Sequence, residues 1–170
     1  ISVTVIDKET CPRYLGHYVY DVKNVETPLW MKRRLIAVGH NAISAMVDIT
    51  NYVLVEIGQP MHAFDLSTLE GSSIVVRRAE EGEKLTTLDE KERVLTNNNL
   101  LICDKVKAVG LAGVMGGLNS EIKDTTTEVL FESAKFLKDS VRKTSRSLGL
   151  RSDAAARFEK GIDEYTVECG

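Results

Sequence analysis

The fold of this protein is organised around residues 47–65, which read VDITNYVLVEIGQPMHAFD. Apolar or small side chains recur here and just upstream every three or four positions, at Ile43, Met46, Val47, Thr50, Val53, Leu54 and Ile57. That period predicts a helix with one face on a core. Gly58 is expected to end the helix in the left-handed conformation, and Pro60 forbids its continuation. The stretch therefore predicts a core helix that runs into a polar turn.

Three polar side chains of this stretch indicate a ligand pocket. Thr50 and Asn51 lie inside the predicted helix, where propensity alone would not select them. His62 follows the turn, between Met61 and Phe64. Polar atoms against an apolar wall are typical of small-molecule pockets. A structural histidine is the alternative interpretation, and both stay open at this point.

Length and composition predict an ordinary globular chain. The 170 residues are 43% hydrophobic and 28% charged, enough for one domain with a substantial core. The cysteines at 11, 103 and 169 are far apart, so neither a disulfide framework nor a zinc site is expected, and a reducing cytoplasm is favoured. No apolar run approaches the ~20 residues of a membrane span. Ile1 already reads as part of a strand, which favours a domain excised from a longer protein, with ordinary processing as the alternative.

Charge is unevenly distributed along the chain. The net charge is −3, which argues against a surface that binds nucleic acid everywhere. Residues 138–160 nevertheless hold seven basic side chains against three acidic ones. Such a segment either binds the phosphate backbone of a nucleic acid locally or is an ordinary solvent-exposed helix face. On charge alone the solvated face is favoured.

Strands outnumber helices in the predicted order, and several hairpins are local. Helices are expected near residues 27–58 and 139–160, with Thr27 capping the first and Asp139–Ser140 capping the basic one. Ser152 or Asp153 is expected to cap the next helix, and the last six residues show no cap. This arrangement predicts an α+β fold of layered mixed β-sheets with flanking helices, in a single compact domain.

Several common chemistries have no motif here. The sequence lacks a dinucleotide-binding glycine fingerprint, a phosphate-binding P-loop and a nucleophile elbow, and its three histidines suggest no triad. Glu132 lies in a predicted strand on the same side as Leu130, which places it either at a solvated strand end or in a site. The glycines between 110 and 117 mark either a bulge or a close approach to a ligand.

Five motifs together resemble the editing module of bacterial phenylalanyl-tRNA synthetase β subunits. They are VDITNYV at 47–53, GQPMHAFD at 58–65, LAGVMGG at 111–117, ESA at 132–134, and LGLRSDA at 148–154 followed by RFEKGID at 157–163. The resemblance covers nearly the whole chain. It implies that residues 1–170 form one editing domain of a larger β subunit. It also implies a cytoplasmic ligase assembled from two α and two β subunits, (αβ)₂. That enzyme binds tRNA(Phe) and uses ATP and Mg.

In that family the module hydrolyses tyrosine wrongly esterified to tRNA(Phe). Carried over by motif, the catalytic residues are His62 and Glu132, with Glu132 and the Gly113 amide recognising the tyrosine hydroxyl. The resemblance implies no cofactor and no metal in this domain, whose partner is the acceptor end of the tRNA. The substrate-binding positions implied are Thr50, Asn51, Gly113, Glu132 and Ala154.

Two departures from the family pattern keep other functions open. Asn41–Ala42 stands where the family usually has Arg-Pro, and Ala155–Ala156 stands where it often has Ser-Tyr. The first change weakens a cationic contact to the tRNA end, and the second alters the pocket rim. The main alternative is a non-catalytic structural or RNA-docking module of the same synthetase. A free-standing deacylase or small-molecule binder of the same fold is a weaker one.

Overall fold

A computed structural model describes residues 1–23 and 25–170, which contain ten strands and five α-helices. The strands are β1 (Ser2–Val5), β2 (Arg13–Val19), β3 (Met61–Asp65), β4 (Ser73–Arg78), β5 (Lys84–Thr86), β6 (Glu92–Val94), β7 (Leu100–Cys103), β8 (Ala108–Leu111), β9 (Met115–Gly116) and β10 (Val129–Lys135). The helices are α1 (Leu29–Ala37), α2 (Ala45–Ile57), α3 (Lys138–Leu148), α4 (Asp153–Phe158) and α5 (Glu164–Cys169). None of these helices has both the length and the apolar character that crossing a membrane requires.

Two sheets and a hairpin build the molecule. A five-stranded mixed sheet has the order β1-β4-β7-β8-β9, in which only the β1–β4 pair is parallel. A three-stranded antiparallel sheet has the order β2-β10-β3, and β5 and β6 pair separately. The predicted α+β class with layered mixed sheets and flanking helices is confirmed.

One apolar core joins the two sheets. It combines Ile74, Leu101 and Val109 of the larger sheet with Phe64 and Leu130 of the smaller one. Helices α3 and α4 close the same core, while α2 packs against β3, and α5 packs against β10 and β2. Strands β3 and β10 are thus largely buried, whereas most of β2 is exposed. A side chain that points toward the core from β3 or β10 is shielded from water.

Helix α2 is confirmed, but its predicted stripe was partly wrong. Gly58 ends the helix in the left-handed conformation, with φ of 80°, as expected. Ile43 precedes the helix and is 73% exposed, whereas Asp48 is completely buried. His62 also lies in strand β3 and not in a polar turn. The sheet, and not the helix exit, therefore positions this histidine.

The predicted helix caps were wrong at two of three sites. Pro28 is the N-cap of α1, and the Thr27 hydroxyl donates to the buried Asp48 carboxylate instead. Leu137 precedes α3 without a side-chain cap, so Asp139 and Ser140 lie inside the helix. Ser152 does cap α4, by accepting from the Ala155 N–H at 3.1 Å. Helix α5 was not predicted.

Replacing Asp48 with alanine is expected to destabilise the fold by about 2–4 kcal/mol. The carboxylate accepts hydrogen bonds from the Thr27 hydroxyl and from the Ile43 N–H at 2.9 Å, and it is fully buried. Its removal leaves the Thr27 hydroxyl inside the protein without its acceptor. Urea unfolding of the variant against the wild type measures the loss, and a change below about 1 kcal/mol would show that this carboxylate does not hold α2 to the preceding segment.

Candidate functional site

A cavity of about 260 Å³ opens between the smaller sheet, the turn that joins β8 to β9, and helices α2 and α4. Its wall is mainly apolar and includes Leu54, Phe64, Met115 and Phe158. All six site residues expected from the sequence line this one cavity. They are Thr50, Asn51, His62, Gly113, Glu132 and Ala154. The structure therefore brings the predicted positions together, while their chemical roles stay predictions.

Sheet register places His62 and Glu132 side by side. The two residues are direct cross-strand partners in the β3–β10 pair. Opposed residues of an antiparallel pair project from the same face, with Cβ atoms about 5 Å apart. On the other flank of β10, Gly16 of β2 lies opposite Glu132 and contributes no side chain. The histidine and the carboxylate thus share one patch of the cavity wall.

Glu132 is a buried carboxylate with one engaged oxygen. It is only 7% exposed, and its Oε2 accepts a hydrogen bond of 2.7 Å from the Tyr14 hydroxyl. Burial raises the pKa of Glu132 to about 7, and the Tyr14 hydrogen bond opposes that rise because it favours the carboxylate. Near neutral pH Glu132 is therefore present both as the neutral carboxylic acid and as the carboxylate. Its other oxygen makes no hydrogen bond within residues 1–23 and 25–170.

Tyr14 is a partner of the candidate site that the sequence did not predict. It lies opposite Ala134 in the β2–β10 pair, one diagonal step from Glu132 on the same face. Burial and the neighbouring carboxyl group raise the pKa of Tyr14 well above its usual value, so the hydroxyl stays protonated and remains a donor. A lone tyrosine in a strand carries no local signal of this contact, because the two residues are 118 positions apart in the chain.

His62 is held neutral in an apolar setting. Burial lowers its pKa to about 4, and its ring meets that of Phe64 edge-on at 4.5 Å between centroids. Nε2 is buried and makes no hydrogen bond with the part of the chain that the structure describes. A Cβ added at Gly116 would lie 2.4 Å from Cε1 and 2.6 Å from Nε2 of this ring. Because Gly116 has no side chain, the space beside its Cα is free for the imidazole ring of His62.

The turn after β8 presents the backbone of Gly113 to the cavity. Gly113 has φ of +69°, and a Cβ there would lie 3.0 Å from each of Phe136, Val141 and Phe158. Both conformation and space therefore require glycine. Its neighbours Ala112 and Val114 donate their N–H groups to backbone carbonyls, whereas no described residue accepts from the Gly113 N–H. The Gly113 N–H thus has no acceptor among the described residues, and Gly113 lines the cavity.

Helices α2 and α4 supply the remaining positions. Thr50 donates its hydroxyl to the Val47 carbonyl at 2.7 Å, and α2 lines the cavity with Thr50, Asn51 and Leu54. Ala154 lies in the first turn of α4, which Ser152 ties to the β8–β9 turn by donating to the Val114 carbonyl at 2.6 Å. The described residues contain no group of three His, Cys, Asp or Glu side chains arranged to hold a metal ion.

Comparison with known families places this site in context. Residues 10–170 match the family model described as the B3/4 domain. The chain belongs to the B3/4 domain family. Among curated relatives, the phenylalanine–tRNA ligase beta subunit of Syntrophus aciditrophicus is 54% identical over 98% of this chain and 21% of its own length. That of Geobacter sulfurreducens is 51% identical over 98% of this chain and 21% of its own length.

The chain thus spans about a fifth of the length of these relatives. A solved N-terminal fragment of the phenylalanyl-tRNA synthetase beta subunit from Pyrococcus horikoshii has the same fold, with a TM-score of 0.56 at 12% identity over 87% of this chain and 48% of that one. The resemblance of the sequence to synthetase β subunits is confirmed. In this B3/4 domain the cavity is lined by the buried carboxyl group of Glu132, the imidazole of His62 and Gly113, whose N–H has no acceptor among the described residues.

Proposed function

We propose that this B3/4 domain edits mischarged tRNA by hydrolysing the ester of tyrosine on tRNA(Phe). The observation that carries the proposal is Glu132, a buried carboxyl group held by Tyr14 in an apolar cavity with one oxygen uncommitted. A carboxyl group inside an apolar wall is costly to a fold unless it has a partner. The partner we propose is the phenolic hydroxyl of the substrate.

The recognition chemistry is complementary to a phenol. A tyrosine hydroxyl is both a donor and an acceptor. The free oxygen of Glu132 accepts from it, and the unused N–H of Gly113 donates to it. A phenylalanyl ester in the same position leaves both groups unpaired, and sites built to bind a hydroxyl reject the analogue without it by ~10⁴–10⁵. Apolar wall residues, among them Phe64 and Phe158, surround the aromatic ring of the substrate.

Hydrolysis itself asks little of the protein, because an aminoacyl ester is already activated. Placement of one water molecule against the carbonyl carbon supplies much of the acceleration. His62 is neutral at pH 7 because its pKa is about 4, so it takes part as an uncharged imidazole beside the ester. Thr50 and Asn51 line the ester end, and Ala154 leaves room for the ring. No metal or cofactor has a role in this scheme.

The larger setting is also part of the proposal. We infer that residues 1–170 form one editing domain of a β subunit that pairs with an α subunit in an (αβ)₂ ligase. Support comes from the curated relatives, which are beta subunits of which this chain covers 21%. In this cytoplasmic enzyme ATP and Mg act in another part of the ligase, whereas the acceptor end of tRNA(Phe) reaches this cavity.

Filling the cavity tests the proposal. Ala154→Leu adds three carbon atoms to the wall, and we expect it to slow hydrolysis of tyrosyl-tRNA(Phe) by the assembled synthetase at least tenfold. The matched control is Ala37→Leu, the same change at an exposed position on α1, which should leave the rate unaltered. Deacylation of tyrosyl- and phenylalanyl-tRNA(Phe) is followed without ATP. Full retention of tyrosyl-tRNA by a wild-type enzyme that is active in aminoacylation would favour the non-catalytic alternative.

A further inference from the structure

The basic side chains of residues 138–160 are unlike most others in the molecule. Elsewhere, arginines such as Arg13, Arg77, Arg78 and Arg93 are paired with carboxylates. The seven cations of this segment form no ion pair and donate no side-chain hydrogen bond to a described residue. They are Lys138, Arg142, Lys143, Arg146, Arg151, Arg157 and Lys160. Because the whole chain has a net charge of −3, the rest of the surface is acidic on balance.

Four of these cations lie on α3 or just beyond its end and are here called the cationic ridge (Lys138, Arg142, Arg146 and Arg151). The first three are spaced four residues apart on α3 and therefore lie in one row along the helix, about 12 Å long. All four are exposed, and the buried side of α3 is the opposite one. Gly149 ends the helix with φ of 65°, and Arg151, two residues later, lines the same depression as Arg146.

The cationic ridge leads to the cavity that holds His62 and Glu132. A second depression of about 400 Å³ lies between the end of α3 and the start of α4 and is lined by Arg146, Arg151 and Glu159. Ser152 lines this depression and also the first cavity, so the two spaces adjoin. Two guanidinium groups against one carboxylate leave this adjoining depression positively charged.

We propose that the cationic ridge binds the phosphate backbone of the single-stranded 3′ end of the tRNA whose terminal ester enters the cavity. The inference rests on the proposed function, because that function requires a polynucleotide end to arrive here. Such a strand carries one negative charge per nucleotide. Unpaired arginines in a row offer bidentate donors to successive phosphates without first breaking an ion pair. The acidic remainder of the surface disfavours other approaches.

The test removes two charges from the cationic ridge in the assembled synthetase. Arg142→Gln/Arg146→Gln should reduce the slope of log(kcat/KM) for deacylation against log[NaCl] by about 1.4, since each single-strand phosphate contact contributes ~0.7. Between about 50 and 200 mM salt, the wild type then loses about sevenfold more kcat/KM than the variant. The value of kcat should stay unchanged, because neither arginine lines the cavity of His62 and Glu132.

The matched control removes two charges elsewhere. Lys23 and Lys105 are exposed and lie outside α3. Lys23 follows Val22, whose N–H donates to the Thr127 carbonyl just before β10, and Lys105 donates its N–H to the Glu70 carbonyl, whereas α3 follows the end of β10. Lys23→Gln/Lys105→Gln should leave the salt slope as in the wild type. An equal loss of slope in both double variants would overturn the proposal, because it would mean that only net charge matters.

A second readout separates this proposal from the proposed function. A tRNA with a photoreactive penultimate nucleotide is irradiated in the presence of the assembled enzyme, and crosslinks are expected within residues 138–151. Crosslinks without hydrolysis would refute editing and retain the cationic ridge. Hydrolysis with an unchanged slope in the double variant would retain editing and refute the ridge. The absence of both hydrolysis and crosslinks would refute both.

Discussion

Glu132→Ala is expected to abolish the preference of the assembled enzyme for tyrosyl over phenylalanyl ester, lowering the ratio of the two deacylation rates by about 10²-fold or more. The substrate hydroxyl loses a charged acceptor, and such hydrogen bonds contribute ~1.5–3 kcal/mol before the cost of an unpaired buried phenol is added. Glu132→Gln keeps an acceptor oxygen of the same size without the charge, so an intermediate ratio is expected. A ratio unchanged in Glu132→Ala would remove this residue from recognition.

The pH dependence of that ratio is a further signature of the same group. Because the pKa of Glu132 is about 7, the preference should strengthen as pH rises through 7 and the carboxylate forms. Tyr14→Phe removes the hydrogen bond that favours the carboxylate, so the transition should move to higher pH. Taking the ratio of two esters cancels the ordinary acceleration of ester hydrolysis by base. A transition that stayed in place in Tyr14→Phe would contradict the positioning role of that hydroxyl.

Stability provides the folding control for the Glu132 variants. The pKa of Glu132 is raised from 4.5 to about 7 in the folded chain. Its contribution to stability is therefore complete below pH 4.5 and is lost as pH rises through 7, a total of about 3 kcal/mol. Glu132→Gln has no such loss, and the free energy of unfolding of this variant minus that of the wild type should increase between about pH 5 and pH 8. Urea unfolding at the two pH values measures it.

The second large effect is expected from Gly116→Ala, which should lower hydrolysis of both esters by about 10²-fold. The new Cβ would lie 2.4 Å from Cε1 and 2.6 Å from Nε2 of His62, closer than such atoms can approach. Phe64 backs the ring from another side, so the imidazole must leave its place beside the ester. Unlike Glu132→Ala, this change should not alter the ratio between the esters, because the groups that bind the phenol are untouched.

Gly110→Ala is the natural comparison. Gly110 is the cross-strand partner of Gly116, but a Cβ there meets nothing nearer than 3.6 Å, the Cα of Gly116. Its effect should be many times smaller. Equal losses in the two variants would show that the contact with His62 is not the cause, because Gly110 lines the cavity without touching that ring. Circular dichroism of both variants checks that the sheet is retained.

Much of the fold was predictable from local patterns. The C-terminus of α2 was visible because Gly58 and Pro60 follow a periodic apolar run, and β4 and β7 because each is a compact apolar run. Strand β3 was missed because His62 and Asp65 gave the stretch a polar character that burial against β10 overrides. Helix α5 was missed because its six residues carry too little periodicity to be recognised.

The candidate site was predictable in its members but not in its electrostatics. All six positions came from motifs, and all six line one cavity. What the motifs do not contain is the contact between Tyr14 and Glu132, which needs the register of three strands. Burial shifts the pKa values of Glu132 and His62 in opposite directions, and burial is a property of the packed core. The buried Asp48 was missed for the same reason, since its partners lie outside its helix.

The central place of β10 has a consequence for how a nascent chain matures. Strands β2 and β3 are hydrogen-bonded only to β10 within their sheet, and β10 starts at Val129. At ~5–20 residues per second, translation delivers β10 about 5–20 seconds after β2. Until β10 arrives, β2, and later β3 as well, carries unpaired edges that can join other chains. His62 and Glu132 therefore meet only when the ribosome has released a strand far downstream of the histidine.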